Sequence, residues 1–125
     1  MREFSGFTNL KVWEKAHYLT LNIYKLTKSF PKEENFCLTN QIRRSAISIG
    51  ANIAEGYKKS KKDFLRILYI SQGSLEETKY HLILARDLHY CSVSEFEEFL
   101  EIANEVGRMI SGLCRQLKIQ ISFLK

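Results

Sequence analysis

The chain has 125 residues and a formal net charge of +5, with 45% hydrophobic and 26% charged residues, six glycines and one proline. This length and composition fit a single globular domain over residues 1–125, and they disfavour both a disordered chain and a two-domain enzyme. Because a small all-β sandwich or barrel needs a turn about every 8 to 12 residues, so few glycines and prolines disfavour those folds and favour long helices.

In chain order, apolar or small residues recur at alternating spacings of three and four along four segments, which is typical of helices with one buried face. The predicted helices span residues 10–30, 38–57, 61–88 and 93–118. Pro31 is expected to end the first helix, and Gly56 to close the second in the left-handed conformation. Since the connections are short, the pattern predicts an all-α fold, an up-down-up-down antiparallel four-helix bundle.

Serine residues mark the starts of the third and fourth helices. Ser60 is followed three residues later by Asp63, and Ser92 and Ser94 are each followed by a glutamate at the same spacing. In this arrangement the side chain can accept a hydrogen bond from a backbone N–H at the helix start. The third helix is therefore predicted to begin after Ser60, and the fourth near Ser92 or Ser94.

The second and third helices carry apolar side chains outside their buried stripes. These residues are Ile47, Ala51, Tyr69, Ile70, Tyr80 and Leu84. A monomer would place charged or polar residues at such positions, and contiguous exposed apolar surface commonly marks an interface. We therefore expect these side chains to form the interface of a homo-oligomer. The alternative is a wide core stripe with scattered surface tyrosines that needs no partner.

The cysteines and the apolar runs bear on cellular location. Cys37, Cys91 and Cys114 are odd in number and far apart, so they indicate neither a disulfide framework nor a CxxC metal site. We interpret them as reduced thiols. No apolar run of signal-peptide length occurs near the first residues, and none approaches the length of a membrane span. We expect a cytoplasmic protein that does not associate with a membrane.

Four motifs follow one another along the chain: LKVWEKA at residues 10–16, QIRRSA at 41–46, ANIAEG at 51–56 and GSLEE at 73–77. Their order and spacing, over about residues 7–117, resemble the bacterial family of 23S rRNA intervening-sequence proteins. The resemblance implies four-helix protomers assembled as a homopentameric barrel, and no established activity. That family also resembles the accessory proteins of diversity-generating retroelements, which implies RNA or DNA, and a reverse transcriptase or another protein, as partners.

Two positions depart from the usual pattern of that family. Cys37 stands where glycine is typical, and His89 replaces the glycine usually found before Tyr90. Histidine adopts a positive φ less readily than glycine does. We therefore expect a strained or differently shaped turn after the third helix.

The most concentrated positive charge lies between the second and third helices. Residues 58–70 carry a net charge of +4, whereas residues 71–105 carry −6. The helix dipole explains cations at the end of a helix, but it opposes Lys61 and Lys62 in the first turn of the next one. Phosphate contact is the interpretation we favour, and the predicted nucleic-acid-binding residues are Lys58, Lys59, Lys61, Lys62, Arg66 and Arg43. The alternative is a solvated loop.

A polar stripe follows the second helix at spacings of three or four residues: Arg44, Ser48, Asn52 and Glu55. We interpret it as a buried or interfacial hydrogen-bond network, because Asn52 and Glu55 belong to the ANIAEG motif and such networks serve packing. The alternative for Arg44 is that it extends the basic surface.

No group of residues indicates catalysis, a metal site or a cofactor. His17, His81 and His89 do not stand at metal-ligand spacing from cysteines or carboxylates, and no glycine-rich phosphate loop is present. Glu76 and Glu77 are adjacent and therefore point to different faces of a helix. We expect a non-enzymatic protein that binds nucleic acid. The alternative is a protein-interaction scaffold or accessory subunit without direct nucleic-acid contact.

Overall fold

The computed structural model describes residues 6–123. Among these residues there are four α-helices and no β-strand, which confirms the all-helical prediction: α1 is Lys11–Thr27, α2 is Leu38–Gly56, α3 is Lys61–Asp87 and α4 is Val93–Phe123. None of these helices is apolar enough over a sufficient length to cross a membrane.

Two short 3₁₀ helices precede α1 and α2, at Gly6–Asn9 and Lys32–Glu34. They were not predicted from the sequence, since runs of three or four residues carry no helical periodicity. The single domain over residues 1–125 stays a prediction, because its first five and last two residues lie outside the described part of the chain.

Each helix packs against the next, and α1 also packs against α4. Gly6, before α1, lies against the Tyr57 ring after α2. At the opposite end, the Tyr90 hydroxyl after α3 donates a 2.7 Å hydrogen bond to Glu34 Oε2 before α2. One end of the bundle therefore holds the starts of α1 and α3 and the ends of α2 and α4, as antiparallel neighbours require.

All four helices contribute apolar side chains to one core. The largest of its fully buried apolar residues are Leu19, Ile23, Ile42, Ile49, Ile53, Leu68, Leu82, Val106 and Ile110. Cys114 is also buried in this core, where burial raises the pKa of its thiol, although Lys118 acts in the opposite direction. Cys114, Cys37 and Cys91 are all free thiols.

The serine caps at the starts of α3 and α4 are present. Ser60 Oγ accepts a 3.2 Å hydrogen bond from the Asp63 N–H. Ser92 Oγ accepts one of 3.0 Å from the Glu95 N–H, and Glu95 Oε1 accepts one of 2.9 Å from the Ser92 N–H. This reciprocal pair is a capping box, and it identifies Ser92 rather than Ser94 as the residue at which α4 starts.

Two helix ends differ from the prediction by more than one residue. The first helix ends at Thr27 rather than at residue 30, because the N–H groups of Ser29 and Phe30 bond to carbonyls only three residues back. The fourth helix continues to Phe123 rather than ending at residue 118. No glycine or proline follows Leu117 to stop it.

Gly56 does not adopt the left-handed conformation predicted for it. Among the described residues, positive φ angles occur only at Gly6 (84°) and His89 (63°). Gly56 is instead the buried last residue of α2, and a Cβ atom there would lie 2.8 Å from Phe64 Cδ1 and 3.2 Å from Ile67 Cγ2. Its missing side chain is what lets α3 approach α2 closely.

The turn after α3 is strained, as expected from the histidine at this position. His89 has a φ of 63°, and the following Tyr90 N–H bonds to the Ala85 carbonyl at 2.9 Å. This six-to-one bond is typical of a helix end whose next residue is glycine. For a residue with a side chain the left-handed conformation costs about 1–2 kcal/mol.

A buried polar cluster joins α2 to α3. Thr78 Oγ1 donates a 2.8 Å hydrogen bond to Ser45 Oγ, which lies 3.3 Å from Nδ1 of His81. All three side chains are buried. Hydroxyl groups both donate and accept, so this chain of contacts satisfies an imidazole that has been removed from water.

Folding stability is expected to depend on the protonation of His81. Burial lowers the pKa of His81 below its usual 6.5, although the carboxylate of Glu77, 3.7 Å from Nε2, acts in the opposite direction. The unfolded chain therefore takes up a proton at a higher pH than the folded chain does. The free energy of unfolding should fall as the pH drops from 6.5 through the lowered pKa. We expect Tm to fall with it, and less so in a His81→Gln variant.

The measurement is thermal unfolding followed by circular dichroism in steps from about pH 8 to about pH 5. His17→Gln is the matched control, because the His17 ring is exposed and stacks on Trp13 outside the buried cluster. An H81Q variant whose Tm falls with pH as steeply as that of the original chain would show that His81 does not cause the pH dependence.

Candidate nucleic-acid interface

The connection between α2 and α3 displays a dense group of cations. Lys58, Lys59, Lys61 and Lys62 are all exposed. None of them takes part in the ion pairs formed among residues 6–123. Arg66, one turn into α3, is also exposed and lies 3.4 Å from Asp63 Oδ1. The four ammonium groups therefore carry charge that no carboxylate of the described chain neutralises.

The Ser60 cap determines where two of these lysines lie. Because Ser60 Oγ accepts the Asp63 N–H, α3 begins at Lys61, and Lys61 and Lys62 occupy its first turn. Backbone N–H groups at a helix start point outward and favour anions. An exposed helix start flanked by unpaired lysines is suited to bind a phosphate group.

Further cations from α1 and α4 reach the same end of the bundle. Lys118 Nζ lies 5.6 Å from the centre of the Tyr69 ring, one turn beyond Arg66. Arg115 precedes Lys118 by one turn, Lys11 starts α1, and both are exposed. We call this end, formed by Lys11, residues 58–66, Arg115 and Lys118, the basic end.

The sequence analysis did not assign Lys11, Arg115 and Lys118 to the site. A net charge of +4 over residues 106–125 was the available signal. Only the antiparallel order of the helices shows that this charge meets the lysines after α2.

Arg43 does not belong to the basic end. Its Nε donates a 2.8 Å hydrogen bond to Thr27 Oγ1, and its guanidinium lies 4.4 Å from the centre of the Tyr24 ring. It precedes Lys58 by 15 residues, which is about 22 Å along a helix. The structure separates Arg43 from the predicted basic site, because contacts with α1 hold it near the other end of α2.

The polar stripe on α2 divides into two parts. Asn52 Nδ2 donates to the Ser48 carbonyl at 2.8 Å and to Ser48 Oγ at 3.0 Å, and Ser48 Oγ lies 2.9 Å from Ser74 Oγ on α3. Arg44 and Glu55 are exposed, and the structure gives them no hydrogen bond to this group. Ser48 and Asn52 therefore fasten α2 to α3, whereas Arg44 and Glu55 face solvent, so the buried network does not include them.

Five of the six predicted interface residues are exposed on the protomer. They are Ile47, Ala51, Tyr69, Ile70 and Tyr80. The sixth, Leu84, is half-buried and packs against the core. The structure places Leu84 at the edge of the core rather than on the exposed surface, and its part in an interface stays a prediction.

An apolar groove of about 440 Å³ between α1 and α2 was missed by the sequence analysis. Its lining includes Trp13, His17, Leu21, Tyr24, Ile47, Gly50, Ala51 and Ala54. Leu21 and Tyr24 lie outside the buried stripe of α1, as Ile47 does on α2, and this was the signal in the sequence. Among the described residues, no cluster of histidine, cysteine, aspartate and glutamate could hold a metal ion.

Known proteins share this sequence pattern and fold. The model of a family described as 23S rRNA-intervening sequence protein matches residues 8–112. A solved structure that is similar is that of a protein with unknown function from the S23 ribosomal protein family of Bacteroides thetaiotaomicron VPI-5482. The two chains are 28% identical with a TM-score of 0.76, over 82% of this chain and 97% of that one. No curated protein matches.

Proposed function

Because the chain belongs to the family of 23S rRNA-intervening sequence proteins, we propose that it is a non-enzymatic homo-oligomer that binds RNA or DNA without sequence specificity. The observation that carries the proposal is the pair of exposed lysines, Lys61 and Lys62, in the first turn of α3. The helix dipole opposes cations at this position. An anionic ligand explains why two of them stand there without a carboxylate partner.

The basic end has the features of a site that follows a phosphate backbone. Its cations come from three helices and one connection, so they are spread over a surface instead of converging on a pocket. Contacts between lysines and phosphates give salt-dependent affinity that does not read the base sequence.

Self-association would multiply this modest site. Exposed apolar side chains on α2 and α3 favour a homo-oligomer, and the family resemblance implies a homopentameric barrel. In a ring whose axis is parallel to the helices, the basic ends of all copies lie on one rim. Several weak contacts on one rim bind a long polyanion with far higher affinity than a single contact does.

The second candidate function is a protein-interaction scaffold or accessory subunit, for example of a reverse transcriptase. The apolar groove between α1 and α2 favours it, because such a groove can hold a segment of another protein. In that case the lysines would serve only as a solvated surface.

A titration at two salt concentrations distinguishes the two functions. The full chain is added to fluorescently labelled structured RNA, and separately to duplex DNA, at about 50 mM and about 200 mM NaCl. We expect binding at the lower concentration and a steep loss at the higher one. If neither nucleic acid binds at the lower concentration, the proposal fails and the scaffold function is favoured.

A further inference from the structure

The protomer carries two apolar surfaces of different shape on different sides. The first is the concave groove between α1 and α2. The second is a convex strip on the outer side of α3, which we call the ridge and define by Tyr69, Ile70, Gly73, Glu77 and Tyr80. We propose that the groove of one copy receives the ridge of the next, with Arg44 beside the groove paired to Glu77 on the ridge. This inference rests on the homo-oligomer proposed above.

The groove has the shape to accept a helix edge. Ala51 and Ala54 are small residues on its α2 side, while Leu21, 49% exposed, and Ile47, 45% exposed, form its rim. The Trp13 indole packs against α2 at Gly50, where a Cβ atom would lie 3.5 Å from Trp13 Nε1, which is ordinary contact. The result is an open apolar depression.

The ridge has the complementary shape. From Ile70 its members recur at spacings of three and four, and Tyr69 precedes Gly73 by four residues, so they share one face of α3. Ile70 is 50% exposed and Tyr80 58% exposed, and nothing lies within 4 Å of a Cβ atom built on Gly73. Two large apolar side chains thus project on either side of a position without a side chain.

The charges of the two surfaces are opposite. Arg44 is exposed one turn before Ile47 on α2 and has no ion pair among the described residues. Glu77 is exposed on the ridge, and its ion-pair partner among the described residues is His81, 3.7 Å away, whose pKa burial lowers below its usual 6.5. Arg44 and Glu77 therefore carry opposite charges that can pair across the contact.

The heights of these residues along the bundle also agree. At 1.5 Å per residue, Ile47 lies about 14 Å from the basic end of α2, and Ile70 lies about 14 Å from the start of α3. On the same scale Arg44 and Glu77 lie at about 18 and 24 Å. A neighbour rotated about an axis parallel to the helices would bring each pair within about one helical turn.

The two surfaces require a head-to-tail contact. A two-fold dimer would need each copy to offer its groove and its ridge to the same neighbour, which the placement of the two surfaces on different sides of the protomer prevents. A contact between unlike surfaces repeats from copy to copy and closes into a ring when the rotation allows.

The first test exchanges the charges. R44E and E77R are made singly and together, and the mass of each is measured by size-exclusion chromatography with light scattering over a concentration series. We expect each single variant to raise the midpoint concentration of assembly at least about 10-fold, and the double variant to restore it. Both positions are exposed, so circular dichroism should show unchanged helix content. A double variant that assembles no better than the single variants would overturn the ion pair.

The second test separates a head-to-tail contact from a symmetric one. I47R blocks the groove and I70R blocks the ridge, so each variant alone should be a monomer. A mixture of the two still contains one intact groove and one intact ridge, and it should form a one-to-one dimer and nothing larger. Y18R is the control, because Tyr18 is exposed on α1 outside both surfaces, and it should keep the original mass.

Either variant that retains the original mass, or a mixture of folded variants that stays monomeric, would overturn the head-to-tail contact. An original chain with the mass of one copy at all concentrations would overturn both this inference and the homo-oligomer. If the original chain assembles but does not bind nucleic acid, the proposed function fails, and the head-to-tail contact is not affected.

Discussion

Replacing Lys59, Lys61 and Lys62 together by glutamine should weaken binding to duplex DNA about 100-fold at about 50 mM salt. Each lysine that neutralises a phosphate contributes about 0.9 to the slope of log K against log salt concentration. The slope should therefore become shallower by up to about 2.7. Fluorescence anisotropy over a salt series measures both quantities.

The chain offers a control with the same change in charge. Lys25, Lys28 and Lys32 are exposed, and they lie at the end of the bundle opposite the basic end. Replacing them by glutamine should leave the affinity and the slope nearly unchanged. Equal losses in both triple variants would show that net charge alone attracts the nucleic acid, and this would refute a localised site.

A measurement of thermal stability tests whether unfolding causes the loss of DNA binding in the triple variant. The positive charges of Lys61 and Lys62 interact unfavourably with the dipole of α3. Their replacement by glutamine should therefore leave the free energy of unfolding unchanged or raise it, by at most about 0.3–1 kcal/mol for each residue. Tm should change in the same direction. A triple variant that binds weakly and is also less stable would make the binding loss uninformative about phosphate contacts, and would contradict the dipole argument.

The helices were predictable because their signals are local. The Ser60 and Asp63 cap lies within one turn, and the buried stripes repeat within each helix, so neither requires knowledge of the other helices. The ends of α1 and α4 were less accurate, since fraying and the absence of a stop signal are weak signals in a sequence.

The features that were missed depend on contacts between helices. Arg43 was grouped with the lysines because its charge is visible in the sequence, whereas its partners Thr27 and Tyr24 are on another helix. Lys118 was not assigned to the site, because it is far from the lysines in the sequence and only antiparallel packing brings it to Tyr69. A site that several helices share is therefore only partly visible in a sequence.

Gly56 shows the same limit for the backbone. A glycine at a helix end is correctly associated with the left-handed conformation, and this is what the sequence predicted. In the structure the glycine serves a different purpose, because Phe64 and Ile67 of α3 occupy the space where a side chain would be. Which of the two applies depends on how closely the next helix passes.

Gly56→Ala is therefore expected to destabilise the fold by about 1–3 kcal/mol. The added Cβ would lie 2.8 Å from Phe64 Cδ1, which is closer than packed carbon atoms allow, and 3.2 Å from Ile67 Cγ2, which is tighter than most such contacts. Phe64 and Ile67 are buried, so they cannot swing into solvent, and α3 must shift away from α2. Urea unfolding followed by circular dichroism measures the loss.

Gly112→Ala is the matched control, because it makes the same substitution in α4 at a position with room for the methyl group. The nearest atom to a Cβ there is Arg115 Nη2 at 3.8 Å, which is ordinary contact with the end of a flexible side chain. Alanine is a better helix former than glycine, so G112A should stabilise the fold by up to about 1 kcal/mol. If Gly56 were only a helix-ending residue with free space around it, G56A would behave like G112A. Opposite signs in the two variants would establish that the close packing of α3 against α2 depends on the missing side chain of Gly56.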